Sequence, residues 1–285
     1  MTAVGIDVGG TKCHGVVVNE EGDVISELRY PTPHASELIS LLGSMFHELG
    51  GGSALGIGVP GLIDAGGIIN ASPNLRGAHN ITVGPSLRSS LGIPVHVEND
   101  ATAAAYAEWR VGAAKGARDA LIVTLGTGIG GGLVVGGALQ RGANGFAGEI
   151  GHMVIEANGL ECVCGQRGCW ERYASGSALR TLSGGMSGEE VISRARNNEP
   201  GAVAVIDEFA RWFAIGVASL TNVLDPSVVV VGGGVIEAWE VLHPAFVKWM
   251  NEVLYSPEHR PHPQLKPAEL GSRAGAIGSA LLAIA

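Results

Sequence analysis

V-G-I-D-V-G-G-T-K-C-H-G-V-V-V-N-E-E-G-D-V-I-S-E-L-R, residues 4–29, reads as three strands joined by two tight turns. An apolar run over residues 4–8 ends in Asp7-Val8-Gly9-Gly10-Thr11-Lys12. Residues 14–18 form a second run, residues 19–22 a polar turn, and residues 23–29 a third strand. A phosphate-binding P-loop would instead feed a helix and carry G-x-x-x-x-G-K-[ST], and no such string occurs. Taken alone, Gly9-Gly10-Thr11 is a hairpin turn.

The pattern returns further on. Residues 120–125 are an apolar strand, residues 126–132 a glycine loop, and residues 133–135 and 138–140 two strands about a Gly136-Gly137 turn. Two lobes of similar topology explain the echo, with a boundary within residues 111–118. Between the copies, helical periodicity over residues 36–49 stops at three glycines, residues 54–59 form a strand, and a loop runs through Pro73-Asn74. A helix at residues 86–91, a strand at 95–97 and an alanine-rich helix at 101–110 follow. Beyond the second copy come helices at 187–196 and 202–224, a strand at 228–231 ending in Gly232-Gly233-Gly234, and a helix at 239–254. A proline- and histidine-bearing loop at 256–267 then leads to a closing helix at 274–285. Strands alternating with helices define an α/β fold. Gly126-x-Gly128-x-x-Gly131 matches the dinucleotide fingerprint formally, but the continuation alternates like a hairpin where that fingerprint needs a helix. NAD is therefore excluded, although a glycine-rich hairpin can cradle phosphates with its backbone N–H groups.

Composition narrows the partners. The chain has 285 residues, 46% hydrophobic and 16% charged, with 45 glycines clustered beside apolar runs. A formal net charge of -9 without a basic run argues against nucleic acid and anionic membranes. No apolar run approaches the roughly 20 residues of a membrane helix. The opening lacks a signal-peptide pattern, and four cysteines in a chain of this length do not make a disulfide framework, so a reducing, cytoplasmic setting is expected.

Residues 148–171 concentrate unusual chemistry. His152, Cys162, Cys164 and Cys169 supply four soft ligands, the set of a closed tetrahedral zinc site, with Glu149 and Glu171 beside them. Cys13 is left over as a small buried apolar residue, and His14 and the histidines of residues 256–267 read as surface or packing residues. Asp100, just before the alanine-rich helix, is a candidate N-cap. It also ends a strand, where ligands bind in α/β folds, and both roles stay open.

These residues together resemble the ROK sugar kinases, bacterial relatives of the hexokinase–actin superfamily. The likeness spans the chain and rests on Asp7-Val8-Gly9-Gly10-Thr11-Lys12, Glu98-Asn99-Asp100, Leu125-Gly126-Thr127-Gly128-Ile129-Gly130, Gly148-Glu149-Ile150-Gly151-His152 and the run from Cys162 to Glu171. Within the family it looks most like actinobacterial-type glucokinases. The resemblance implies a two-lobed actin-like ATPase (ribonuclease H-like) fold of hexokinase/ROK type. A small lobe, residues 1–115, would be completed by residues 272–285, and a large lobe, residues 116–271, would carry the zinc loop. It implies ATP with Mg2+ as cofactor: phosphates on Asp7, Gly9, Gly10, Thr11, Lys12, Thr127 and Gly128, with Asp7 near the magnesium, and the adenosine end on Gly232, Gly233 and Gly234. Asn74, Asn99, Asp100, Glu149, His152 and Glu171 would bind a hexose, Asp100 also acting as general base toward the 6-hydroxyl. The Zn2+ would be structural, with His152 giving one ring nitrogen to the metal and one to the sugar. A homo-oligomer, dimer or tetramer, is implied. Glucose is the expected substrate. Alternatives are N-acetylglucosamine, N-acetylmannosamine, fructose or allose, polyphosphate as donor, or a non-catalytic sugar-sensing repressor. Repressors of the family carry a helix-turn-helix before the first glycine loop, and here six residues precede Asp7.

Overall fold

The computed structural model describes all residues except Pro73, Asn74 and Arg76. The chain divides into two compact units: Met1–Gly116 with Leu139–Gly148 and Glu269–Ala285, and Ala117–Ala138 with Glu149–Ala268.

In the first unit β1 (Thr2–Val8), β2 (Lys12–Asn19) and β3 (Val24–Pro31) form an antiparallel meander, α1 (Leu38–Glu48) crosses over, and β4 (Leu55–Val59) returns parallel to β1. A small sheet of β5 (Leu62–Ile63), β6 (Ile69–Ala71) and β7 (His79–Ile81) follows. Then come α2 (Val83–Leu91), β8 (Val95–Asn99) and α3 (Asp100–Arg110). The main sheet runs β3-β2-β1-β4-β8. Strand alternation sends Val4, Ile6, Val8, Ile57 and Val97 to a core with Leu42, Met45 and Leu87 of the first two helices. Ala3, Val16 and Val18 face the other way, against Ala103 and Tyr106 of α3 and residues of the C-terminal helix. Covering both faces explains why these strands read as nearly continuous apolar runs.

The second unit repeats the plan. It holds β9 (Ala120–Leu125), β10 (Ile129–Val135), β11 (Ala138–Leu139), α4 (Glu171–Ala174), α5 (Gly176–Leu182), α6 (Gly188–Arg196), α7 (Pro200–Leu224), β12 (Val228–Gly232), α8 (Trp239–Val253) and β13 (Gln264–Pro267). Its sheet runs β11-β10-β9-β12-β13, the same order as the first. The long α7 buries Phe209 and Phe213, and Phe213 stacks on Phe246 of α8 at 3.9 Å between ring centroids. The chain then returns to the first unit as α9 (Ala274–Ala283), which lies flat on β1 and β4. A Cβ at Gly5 or Gly56 would overlap the Ala276 and Ser279 carbonyls, so that approach requires glycine at both positions.

Several elements differ from the sequence reading. Residues 130–132 are not loop: Gly130, Gly131 and Gly132 pair with Thr124, Val123 and Ile122 inside β10. Gly131 sits there because Ile150 and the Ile122 carbonyl occupy the space a side chain would take. Residues 264–267, read as loop, add β13 in parallel to β12. The small sheet and α5 carry too little periodicity to be read in advance. Residues 139–148 group with the first unit instead of the second. Arg141 donates from Nε to buried Glu98 Oε2 at 2.6 Å there, and Gly145 packs close to the Ile63 carbonyl. Among the described residues, no helix is long and apolar enough to cross a membrane.

Candidate active site

Asp7 is the penultimate residue of β1 and Asp100 opens α3 just after β8, so β1 and β8, on either side of β4, deliver two carboxylates to one edge of the first unit's sheet. A Cβ placed on Gly58 of β4 would lie 3.6 Å from Asp7 Oδ1 and 3.5 Å from Asp100 Cα. Both residues keep some exposed surface. Even so, loss of water raises the Asp7 carboxyl to about 7, aided by the charge of Asp100 and opposed by Lys12. Burial likewise raises Asp100, against the hydrogen bond it accepts from the Ala101 N–H.

The cap of α3 is Asn99, not Asp100. Asn99 Oδ1 accepts from the N–H groups of Ala101 and Thr102 at 2.9 and 3.1 Å, and its Nδ2 donates to the Gly61 carbonyl at 3.1 Å. Asn99 has the extended backbone of a cap, whereas Asp100 is already the first helical residue. The helix start is thus satisfied by its neighbour, and one Asp100 oxygen accepts from Ala101. Of the other expected residues in this unit, Gly9, Gly10 and Thr11 form the β1–β2 turn, closed by the Gly9 N–H to Lys12 carbonyl bond at 2.9 Å. Thr32 braces that turn, its hydroxyl donating to the Gly9 carbonyl and its N–H to the Thr11 carbonyl. Gly10, Thr11 and Lys12 are exposed. Asn74 lies outside the described residues. His14 takes the packing alternative: it is buried, with Nε2 3.0 Å from Glu27 and Nδ1 3.3 Å from the Ser272 carbonyl.

In the second unit the residues 126–128 turn joins β9 to β10 as a hairpin, Leu125 opposite Ile129. Gly126 and Thr127 border a cavity of about 740 Å³ whose other walls are α5, α6 and the 3-10 turn Gly234–Ala238. Leu125, Leu179, Ile192 and Val235 make part of its lining apolar, while Arg180 and Glu189 add charge. Thr127 and Gly234 therefore line one cavity. Gly233 lies beneath, at φ 87 and tight against the Leu125 backbone, and Gly232 ends β12. The α5 and α6 residues have no motif in the sequence, and only the fold reveals them as walls.

Residues 150–174 build the metal-binding candidate. Val154 pairs with Cys169 and Glu161 with Arg167, so the segment folds back on itself, with Cys162 and Cys164 at the turn closed by the Gly165 N–H to Cys162 carbonyl bond. Trp170 roots it: the indole is fully buried, donates to the Trp212 carbonyl at 2.9 Å and packs on Gly216 of α7. The ligand atoms of His152, Cys162, Cys164 and Cys169 all lie within 4.8 Å of one another. Cys162 Sγ is 3.7 Å from His152 Nδ1, and Cys164 Sγ is 3.6 Å from Cys169 Sγ. A tetrahedron with bonds of about 2.3 Å has edges of roughly 3.8 Å, so the donor set fits zinc. Burial pushes the Cys162 and Cys169 thiols up, and a bound metal would take them as thiolates instead. Glu171 Oε1 accepts from the Cys162 thiol at 3.0 Å, and its other oxygen lies against Gly128. The carboxylate is thus wedged between the ligand cluster and the glycine turn. Glu149 is exposed and precedes the 3-10 turn Ile150–His152, whose His152 side chain remains about one-third exposed.

The chain as a whole, with its two repeated sheets, is matched among known proteins. Residues 3–285 match the ROK family, and the chain belongs to that family. Its fold is the family's actin-like ATPase fold. The glucokinase of Streptomyces coelicolor is 35% identical, over 98% of this chain and 96% of its own length. The xylose repressor of Bacillus subtilis is 33% identical, over 99% of this chain and 77% of its own length. A solved ROK glucokinase from Streptomyces griseus, in complex with glucose and AMPPNP, superimposes with a TM-score of 0.88 at 36% identity, covering 99% of both chains.

Proposed function

We propose that this protein is an ATP-dependent hexose kinase that phosphorylates the 6-hydroxyl of glucose, with Asp100 as general base. The observation that carries this reading is the Asp100 carboxylate, relieved of capping by Asn99 and raised by burial at a strand end. A carboxylate whose proton affinity is raised by burial is better suited than an ordinary one to accept a hydroxyl proton. The Streptomyces griseus relative, bound to glucose and AMPPNP, supports the same pairing of substrates.

Each group has a counterpart in the chain. The cavity of about 740 Å³, partly apolar and bordered by a glycine hairpin, is of the size that takes an adenosine. Backbone N–H groups of the residues 126–128 and residues 9–11 turns offer donors to phosphate oxygens. Asp7, a hard oxygen donor, is the residue suited to magnesium. When bound, the magnesium nucleotide supplies the phosphoryl group and neutralises its charge, which is most of what such a transfer needs. Asn99, Glu149, His152 and Glu171, with Asn74, select the sugar by hydrogen bonds, because an uncharged substrate offers nothing else to select by. Asp100 orients the 6-hydroxyl and takes its proton. His152, Cys162, Cys164 and Cys169 would hold a zinc ion with four protein donors, and it would serve to fix the loop that carries Glu171.

An ADP-release assay across a hexose and N-acetylhexosamine panel, with ATP and polyphosphate compared, tests the reading. Glucose with ATP should give the highest kcat/KM, and ADP release that no sugar stimulates would sink it. The likeness to a xylose repressor supports one second reading, a sugar sensor. Sugar binding without turnover, together with specific operator retention in a mobility-shift assay, would favour that instead.

A further inference from the structure

Glu108 sits near the end of α3, is 2% exposed, and spends its carboxylate on backbone N–H groups. Oε2 accepts from Ala113 at 2.9 Å, and Oε1 accepts from Leu270 at 2.9 Å and from Glu269 at 3.1 Å. Ala113 lies just before the point where the chain leaves the first unit after Gly116, and Glu269 is the residue at which it finally returns. One buried side chain therefore grips both the first exit and the last re-entry. The intermediate return, Leu139–Gly148, is held at the other end of α3, by Arg141 on Glu98 at 2.6 Å. Asp100 opens α3, the helix that carries Glu108, directly after β8, the strand that carries Glu98. Leu270 also leads into α9, whose Gly275 abuts the Asp7 carboxylate.

We propose that Glu108 is a positioning residue for phosphoryl transfer: by tying α3, the helix that begins with Asp100, to the segment that leads into α9, it sets the alignment of the general base with Asp7, the carboxylate that Gly275 of α9 abuts. This rests on the kinase reading above. A carboxylate buried for stability alone would affect unfolding and leave turnover untouched. A carboxylate that fixes alignment acts on the step most sensitive to misplacement, where an error of about 1 Å costs roughly 10²-fold.

The test uses the full-length Glu108→Gln variant. Its amide replaces an acceptor with a donor, so whichever way it turns, N–H faces N–H. Glu108→Asp, which keeps the charge and withdraws the oxygens by one bond, serves if the first variant does not fold. Glucose and AMPPNP affinities are measured separately by calorimetry, and kcat is measured at 15 °C, below any melting onset. We expect each dissociation constant to stay within about threefold while kcat falls by about 10²-fold, the signature of an interaction realised at the transfer step. A lowered Tm with unchanged kcat would make Glu108 structural and overturn the proposal, as would a proportionate loss of both affinities. If wild-type protein shows no sugar-dependent turnover, the kinase reading fails first and takes this proposal with it.

Discussion

Gly275 faces Asp7 so closely that a Cβ on it would lie 2.7 Å from Asp7 Cγ. Gly275 belongs to the first turn of α9, the end of a helix that favours a carboxylate. The glycine thus lets Asp7 stand at a helix N-terminus while β1 holds it from the other side. Gly275→Ala must displace the carboxylate or lift the helix, at a cost of about 1–3 kcal/mol. Its Tm should fall and its kcat should fall with it. Gly201→Ala is the control: it is also in a helix's first turn, with nothing within 4 Å of the added carbon. That variant should be neutral or stabilised by up to about 1 kcal/mol, read by the same thermal melt.

Asp7 also gives the stability a pH signature. Its carboxyl moves from an ordinary 3.8 to about 7 on folding, burial being the chief cause. The folded protein therefore binds the proton more tightly than the unfolded chain does. This contribution is fully present below about 4, declines as the pH rises toward about 7, and is then gone. Asp7→Asn removes the liability. Melting curves should show the variant gaining most over wild type at pH 8 and least at pH 4. A gain independent of pH would contradict this assignment.

The metal cluster predicts a selective defect. Elemental analysis should find about one zinc per chain, as four protein donors define one closed site. Chelation, or Cys164→Ser, should free the segment that ends at Glu171 while Trp170 keeps its root in α7. The KM for glucose should then rise well before the KM for ATP, because the cavity proposed for the nucleotide is walled by α5, α6 and the Gly234 turn. Equal losses for both substrates would show that the metal supports the whole unit and not the loop alone.

Where the sequence could be read, the reason is local. Val4, Ile6 and Val8 alternate, a turn follows, and the meander is legible without long-range information. The His-Cys set is equally local, since its spacing alone defines the ligands. Gly130, Gly131 and Gly132 were misleading because glycine reads as loop, whereas here Ile150 and the β9 backbone demand a residue without a side chain in a strand. Asn99 and Asp100 are both good caps by type, and only the backbone angles and hydrogen bonds assign the role to Asn99. The cavity walls at Arg180 and Glu189 come from helices far along the chain from residues 126–128, and no spacing connects them. Glu108 carried no signal either, because its partners are backbone N–H groups, two of them distant in sequence.

Turnover by Asp100→Asn tests the general base most directly. The amide oxygen can still accept from Ala101, and Asn99 still caps α3, so the variant should fold with a near-normal Tm and bind glucose. Its kcat should fall by about 10²–10⁴-fold, the contribution of a general base. A folded Asp100→Asn protein that phosphorylates glucose at close to the wild-type rate would contradict the assignment.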